Sequence, residues 1–214
     1  MELQFSVTPK KCIDPCPRLL QHIKTVLVSN NQGDYEYLLD WLSWIVKHPE
    51  EKTGVSVVFV SDQGTGKSIL INVLQKIFGI HCLQITNTQH LFPPFSTNMD
   101  NKVLIILEEI TWGGDEVHQG LTSDDLLYHE FAEIISSNSY WNLMFVSNQR
   151  WYYSASEDNV HFFIPNVSSQ RIGDNQYFSE LYHELNNGGV EEFLYYLLNR
   201  QLPSNWTPAP PPNE

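Results

Sequence analysis

Short apolar runs alternate along the chain with longer stretches in which apolar residues recur every three or four positions. The short runs are rich in β-branched residues, as in buried strands, and the longer pattern is typical of amphipathic helices. The clearest helical stretch is 35–46, where Asp34 is placed to cap the first turn and Pro49 follows the end. We predict helices over residues 17–26, 35–46, 69–78, 178–185 and 190–198. We predict strands over residues 56–60, 81–86, 103–107, 143–148 and 159–167.

This order of elements predicts an α/β fold, in which helices flank a parallel sheet. A helical N-terminal segment over residues 1–53 precedes a core over residues 54–202, which includes short C-terminal helices. Residues 203–214 form a Pro-rich tail with the composition of a polyproline-like linker or end.

The charge and cysteine content limit the classes of protein to consider. A net charge of −13, with only 12 lysines and arginines, argues against a protein that coats nucleic acid. Three cysteines are too few for a disulfide framework. No signal peptide opens the sequence and no apolar run reaches spanning length, so we expect a soluble, intracellular protein with no membrane partner.

The turn after the 56–60 run has the composition of a phosphate-binding loop. Residues 61–68 read Ser-Asp-Gln-Gly-Thr-Gly-Lys-Ser, and they match the consensus G-x-x-x-x-G-K-[ST] except at the first glycine, which is Ser61. In such a loop backbone N–H groups surround a phosphate, Lys67 reaches the terminal phosphates and the Ser68 hydroxyl ligates Mg²⁺. We therefore expect ATP and Mg²⁺ as cofactors, bound by Gly64, Thr65, Gly66, Lys67 and Ser68. The alternative is an ordinary turn that carries Lys-Ser by chance.

Two later strands end in polar residues suited to the same chemistry. Glu108 and Glu109 follow the 103–107 run, where one carboxylate would hold Mg²⁺ and the next would polarise the attacking water. Asn148 ends the 143–148 run and is suited to contact the γ-phosphate or orient that water. Solvated strand ends are the alternative for all three. If the sheet is parallel, these carboxyl ends lie at one edge, where ligands bind.

These motifs together resemble the helicase domain of superfamily 3, within the AAA+ class of P-loop ATPases. The chain is most similar to the primase-helicase proteins of phages and other mobile elements, of the poxvirus primase-helicase type. The resemblance extends over residues 17–202. It is carried by YLLDWLSWIVKHPEEK at 37–52, QGTGKS at 63–68, LEEITWGGD at 107–115, VSN at 146–148 and NNGG at 186–189.

Such domains form rings, usually hexamers, which hydrolyse ATP between subunits and move along single-stranded DNA. The resemblance implies catalytic roles for Lys67, Glu109 and Asn148, and a metal site at Ser68 and Glu108. It also implies self-association into a ring with single-stranded DNA as a ligand. No primase region precedes Met1, so we expect a helicase core standing alone.

Two departures from the family pattern indicate a degenerate motor. The arginine pair that supplies the arginine finger corresponds here to Val160 and His161, which leaves Arg150 or, better placed, Arg171 as substitutes. Residues 103–149 contain no Lys or Arg, although relatives carry a basic DNA-gripping hairpin there. Phosphate contacts depend on cationic side chains, so this region should repel DNA.

The sequence thus leaves two main hypotheses open. The first is an ATP-hydrolysing, superfamily 3-like helicase domain in the DNA replication of a viral or mobile genetic element. The second is a pseudo-helicase that binds nucleotide without translocating and acts as a regulatory or structural partner. A mixed ring, in which a related subunit supplies the finger and the DNA contacts, would satisfy both. A small-molecule kinase shares the loop, but Asn148 and the Trp-Gly-Gly-Asp run argue against it.

Overall fold

The computed structural model describes residues 4–86, 101–108, 141–148, 161–204 and 206–208. The helices are α1 (Pro17–His22), α2 (Gln32–Lys47), α3 (Lys67–Phe78), α4 (Asn175–Glu184) and α5 (Val190–Asn199). A π-helical turn continues α1 over Ile23–Leu27, and a short 3₁₀ turn follows α3 over Gly79–His81. The segment Leu185–Gly189 joins α4 to α5 through a kink, at which Asn187 and Gly188 have non-helical backbone angles. The strands are β1 (Val55–Val60), β2 (Cys82–Ile85), β3 (Leu104–Glu108), β4 (Asn142–Ser147) and β5 (His161–Phe163).

The five strands form one parallel sheet in the order β2-β3-β4-β1-β5. This confirms the predicted α/β fold with a parallel sheet and flanking helices. Phe59 of β1 pairs with Val146 of β4, and Leu107 of β3 pairs with Phe145 of β4. The carboxyl ends of β1, β3 and β4 are therefore adjacent, and the residues that follow them meet at one edge of the sheet.

Two apolar clusters cover the faces of the sheet. The larger one contains the inward side chains of the helices together with one side of the strands, and the smaller one contains Val58, Ile85, Ile105, Leu107, Leu143 and Phe145. Within the larger cluster Trp41 of α2 is fully buried, and its indole Nε1 donates to the Thr53 hydroxyl and the Val55 carbonyl, at 3.0 and 3.1 Å. The indole thus fixes α2 against the amino end of β1.

Several element boundaries differ from the prediction, and three of the differences have a clear local reason. Asn31, not Asp34, caps α2, because Asn31 has extended backbone geometry and its side chain accepts the Asp34 N–H at 3.1 Å. Helix α4 begins at Asn175, since Asp174 caps it by accepting the Tyr177 N–H at 3.1 Å. The strand predicted over 159–167 ends at Phe163, and Pro165 has no N–H to continue a ladder.

The N-terminal helix is attached directly to the C-terminal helices. Both carboxylate oxygens of Glu184, at the end of α4, accept the first N–H groups of α1, from Arg18 and Leu19, at 2.9 Å. This carboxylate satisfies donors that a helix start leaves without partners. α1 is thereby held beside α4, which brings residues more than 150 positions apart in the sequence to one place.

None of the helices in the described ranges combines the length and the hydropathy that crossing a bilayer requires.

Candidate functional site

The loop between β1 and α3 depends on two glycines in the left-handed region. Gly64 has φ +84° and Gly66 has φ +98°, a conformation that residues with a side chain rarely adopt. Ser61, which replaces the consensus glycine, is not among the residues with positive φ, so the serine does not strain the loop. Its hydroxyl lies 2.9 Å from the Thr65 hydroxyl, a contact that closes the loop across its base.

Lys67 is the first residue of α3, and its side chain extends back across the loop to Ser61 and Asp62. Its ammonium nitrogen donates to the Ser61 carbonyl at 2.8 Å, to the Ser61 hydroxyl at 2.7 Å and to the Asp62 carbonyl at 3.0 Å. It also lies 3.2 Å from Oδ1 of Asn148, the residue that follows β4. The structure therefore brings together Lys67 and Asn148, which are 81 positions apart in the sequence.

The structure also brings together Ser68, in the first turn of α3, and Glu108, the last residue of β3. The Ser68 hydroxyl lies 3.4 Å from Oε1 of Glu108, and the other carboxylate oxygen accepts from the side-chain amide of Gln84 in β2. A hydroxyl and a carboxylate are hard oxygen donors of the kind that Mg²⁺ prefers. The pair fits a magnesium ion by its chemistry, and Gln84, which the sequence analysis missed, orients the carboxylate.

One cavity of about 390 Å³ joins these groups. Its walls are formed by the loop and the start of α3, by Glu108, Val146 and Asn148 at the strand ends, and by Phe178 and Tyr182 of α4. The two aromatic residues were not predicted, although their spacing of four places them on one face of a helix. The cavity is of the size that small-molecule sites have in proteins.

Another residue that was not predicted to belong to this site packs against the loop. His22 of α1 is fully buried, with Nε2 3.1 Å from the Gly66 carbonyl and Nδ1 3.0 Å from the Tyr177 hydroxyl of α4. Burial lowers the pKa of His22 to about 4, because a charged imidazole would lose its hydration there. The imidazole is therefore neutral near pH 7.

The low pKa of His22 predicts an acid sensitivity of folding. Between pH 6.5 and 4 the unfolded chain binds a proton at this residue that the folded chain does not, so stability is present above pH 6.5 and falls as the pH is lowered. The difference from the ordinary pKa corresponds to about 3 kcal/mol between pH 7 and pH 4. The Tyr177 hydroxyl that faces the ring does not offset this loss of stability. Burial raises the pKa of Tyr177, so this hydroxyl stays uncharged over the same pH range. Urea unfolding of wild type and His22→Gln at both pH values measures this, and an equal loss in the two proteins would contradict it.

Arg171, the better of the two substitutes for a missing arginine finger, lies beside the loop of its own chain. Its guanidinium is 2.8 Å from the Asp174 carboxylate and 4.4 Å from the centre of the Tyr177 ring. The next residue, Ile172, has a methyl group 3.8 Å from where a Cβ would stand on Gly64. Arg171 is thus held against the start of α4 of its own chain, and it is not one of the residues that line the cavity.

The remaining predicted residues are not part of the described structure. Glu109, Arg150, Val160 and the Trp-Gly-Gly-Asp run at 112–115 lie outside the described residues, and for His161 only the backbone is described. Their roles stay predictions from the sequence.

Comparison with known proteins shows that the chain is similar to a phage replication protein. A family model described as a family of unknown function, DUF5906, matches residues 59–160. The DNA primase-polymerase of Nitratiruptor phage NrS-1 is 30% identical over 112 residues, which are 50% of this chain and 15% of that protein. The expected similarity to a phage primase protein is confirmed at this level, and the superfamily 3 helicase assignment stays a prediction.

Solved structures of the NrS-1 C-terminal region share the fold. An apo structure of that region superposes with a TM-score of 0.73 at 22% identity and covers 91% of this chain and 48% of its own. An A-form apo structure of the same region gives 0.70 at 21% identity, with 92% and 48% covered. The chain therefore spans about half the length of these solved structures and a smaller share of the curated relative.

Proposed function

We propose that this chain is an ATP-binding, superfamily 3-like P-loop domain that acts in phage-type DNA replication. The observation that carries the proposal is the convergence of Lys67, Ser68, Glu108 and Asn148 on one cavity beside a glycine-rich loop. Groups from two strand ends and one helix start, beside the loop that follows β1, form the set that phosphate chemistry uses. Similarity to a DNA primase-polymerase supports replication as the process.

In this proposal the residues of the cavity share the tasks of phosphoryl transfer with Glu109, whose role is predicted from the sequence. The loop N–H groups and the start of α3 bind the phosphates, and the Lys67 ammonium adds a positive charge next to them. Ser68 and Glu108 would hold Mg²⁺, which neutralises phosphate charge when bound. Glu109 accepts a proton from the attacking water, and Asn148 holds that water or the terminal phosphate in line.

A second candidate function is favoured by charge. The chain carries 25 acidic residues against 12 basic ones, and residues 103–149 contain none of the latter. In this alternative the chain binds nucleotide but does not grip DNA, since DNA affinity depends on cationic contacts. It then acts within a ring or a mixed ring, where a related subunit supplies an arginine finger and the contacts to single-stranded DNA.

Removing the lysine of the loop tests nucleotide binding. Lys67→Ala is expected to weaken the affinity for ATP with Mg²⁺ by about 10- to 100-fold, because charge-assisted hydrogen bonds contribute about 1.5–3 kcal/mol. Lys76→Ala is the matched control, since Lys76 lies in the last turn of the same helix. Titration calorimetry of the two variants and the wild type measures the difference.

ATP turnover with and without single-stranded DNA separates the two functions. Turnover that rises with DNA in the wild type and is lost in Lys67→Ala supports the motor. Binding without a response to DNA supports the non-translocating partner. If the wild type and Lys67→Ala bind ATP equally weakly, the assignment of this cavity as a nucleotide site is wrong.

A further inference from the structure

The hydrogen bonds around His22 determine which of its nitrogens carries the proton. The Gly66 carbonyl, 3.1 Å from Nε2, can only accept, so Nε2 is the donor. Nδ1 is then the acceptor, and it receives the proton of the Tyr177 hydroxyl at 3.0 Å. A neutral histidine with one donor and one acceptor thus connects the loop to α4.

His22 of α1 and Phe178 of α4 both pack closely against Gly66. A Cβ at position 66 would stand 2.7 Å from Cε1 of His22 and 2.8 Å from Cε1 of Phe178, distances at which something must shift. The Gly66 carbonyl also accepts the Ile69 N–H of the first turn of α3, at 3.1 Å. This carbonyl is therefore held by two donors, one from its own helix and one from α1.

The direction of the Gly66 carbonyl fixes the direction of the next N–H group. A trans peptide is planar, and its carbonyl and N–H point in opposite directions. Since the Gly66 carbonyl is held on the helix side, the Lys67 N–H points the other way, toward the loop. The first N–H groups of a helix have no hydrogen-bond partner within the helix and can donate to a bound anion. Gly66, which precedes α3, has no side chain that could accept hydrogen bonds from these N–H groups.

We propose that His22 is a positioning residue of the nucleotide site. It fixes the last peptide of the phosphate loop and, through Tyr177, couples that peptide to α4. The neighbours Phe178 and Tyr182 on α4 line the same cavity. α1 therefore sets the relative position of the phosphate-binding and aromatic walls. This inference rests on the proposed function, since it assigns His22 a task in ATP binding.

Three substitutions test the proposal through the affinity for ATP with Mg²⁺. His22→Leu removes both hydrogen bonds and is expected to weaken binding about tenfold, the effect of one well-placed hydrogen bond. His22→Gln keeps a donor near the position of Nε2, and we expect it to stay within about threefold of wild type. Tyr177→Phe keeps the ring but removes the donor to Nδ1, with an expected loss of about threefold.

His81 offers a matched control for a purely structural effect. It is also a buried histidine bonded to a backbone carbonyl, since Nδ1 lies 2.8 Å from the Asn101 oxygen, but it stands at the amino end of β2, away from the cavity. His81→Leu is expected to lower the melting temperature without changing the affinity of the folded protein for ATP. In the His22 series affinity should follow the presence of the donor and not the melting temperature.

The outcomes separate this inference from the proposed function. A folded His22→Leu that binds ATP like the wild type overturns the positioning role alone. If His22→Leu does not fold, Tyr177→Phe decides, and an unchanged affinity in that variant overturns the coupling to α4. A wild type that binds no ATP overturns the proposed function, and the inference with it.

Discussion

Glu109→Gln is expected to lower ATP turnover by about 10²- to 10⁴-fold, the range that a positioned general base contributes. Glu109 directly follows β3, whose last residue, Glu108, lies beside Ser68 at the cavity. Because the amide keeps the size of the carboxylate and loses only its basicity, we expect the affinity for ATP to stay within a few-fold of wild type. Steady-state turnover and equilibrium binding of the purified variant measure the two quantities.

Glu108→Gln is the matched control for this experiment. In the proposed function Glu108 holds Mg²⁺ together with Ser68, whose hydroxyl lies 3.4 Å from its carboxylate. Its amide variant is therefore expected to need more Mg²⁺ for half-maximal turnover. Excess Mg²⁺ should then restore much of the activity of Glu108→Gln and none of the activity of Glu109→Gln. Rescue of Glu109→Gln by Mg²⁺ would show that the two roles are reversed.

Arg200→Met is expected to lower the free energy of unfolding by about 3–5 kcal/mol, the cost of leaving a buried charge without its partner. The Arg200 Nε donates to the carboxylate of Asp40 at 2.6 Å, and another guanidinium nitrogen donates to the Tyr196 hydroxyl at 2.9 Å. Asp40 is only 6% exposed, on the face of α2 near α5. Burial raises the pKa of Asp40 although Arg200 opposes the shift, so the carboxylate depends on this guanidinium.

Two further variants isolate the buried part of this network. The Glu36 carboxylate lies 2.5 Å from the same guanidinium, but its side chain is 48% exposed, so Glu36→Gln should cost less than about 1 kcal/mol. Replacing both buried partners, in Asp40→Leu with Arg200→Met, should recover most of the stability, because no charge is then left without a partner. Urea unfolding measures all three, and a loss below 1 kcal/mol in Arg200→Met alone would contradict the prediction.

Local sequence patterns predicted the helices and strands, because the periodicity of apolar residues within one short, contiguous stretch indicates each element. The apolar run before Ser61 and the periodic one after Ser68 give β1 and α3 directly. Boundaries were less well predicted, since they depend on single side chains such as Asn31 and Asp174, which cap helices and outweigh periodicity.

The groups predicted for phosphate chemistry, as far as they are described, come together for a topological reason. Once β1, β3 and β4 are parallel neighbours, the residues at their carboxyl ends must meet, and this is why Lys67, Glu108 and Asn148 line one cavity. Their roles with ATP and Mg²⁺ stay predictions that the experiments above address.

The sequence by itself thus determined the parallel α/β fold, the glycine-rich loop and the similarity to a phage replication protein. Only the tertiary structure decided what surrounds the loop. His22 and Tyr177 are 155 positions apart, and neither carries a local pattern that marks it as part of a site. Their contact depends on α1 packing against α4, with Glu184 capping α1. Such long-range contacts are determined by how whole faces bury apolar surface, so no short stretch of sequence encodes them.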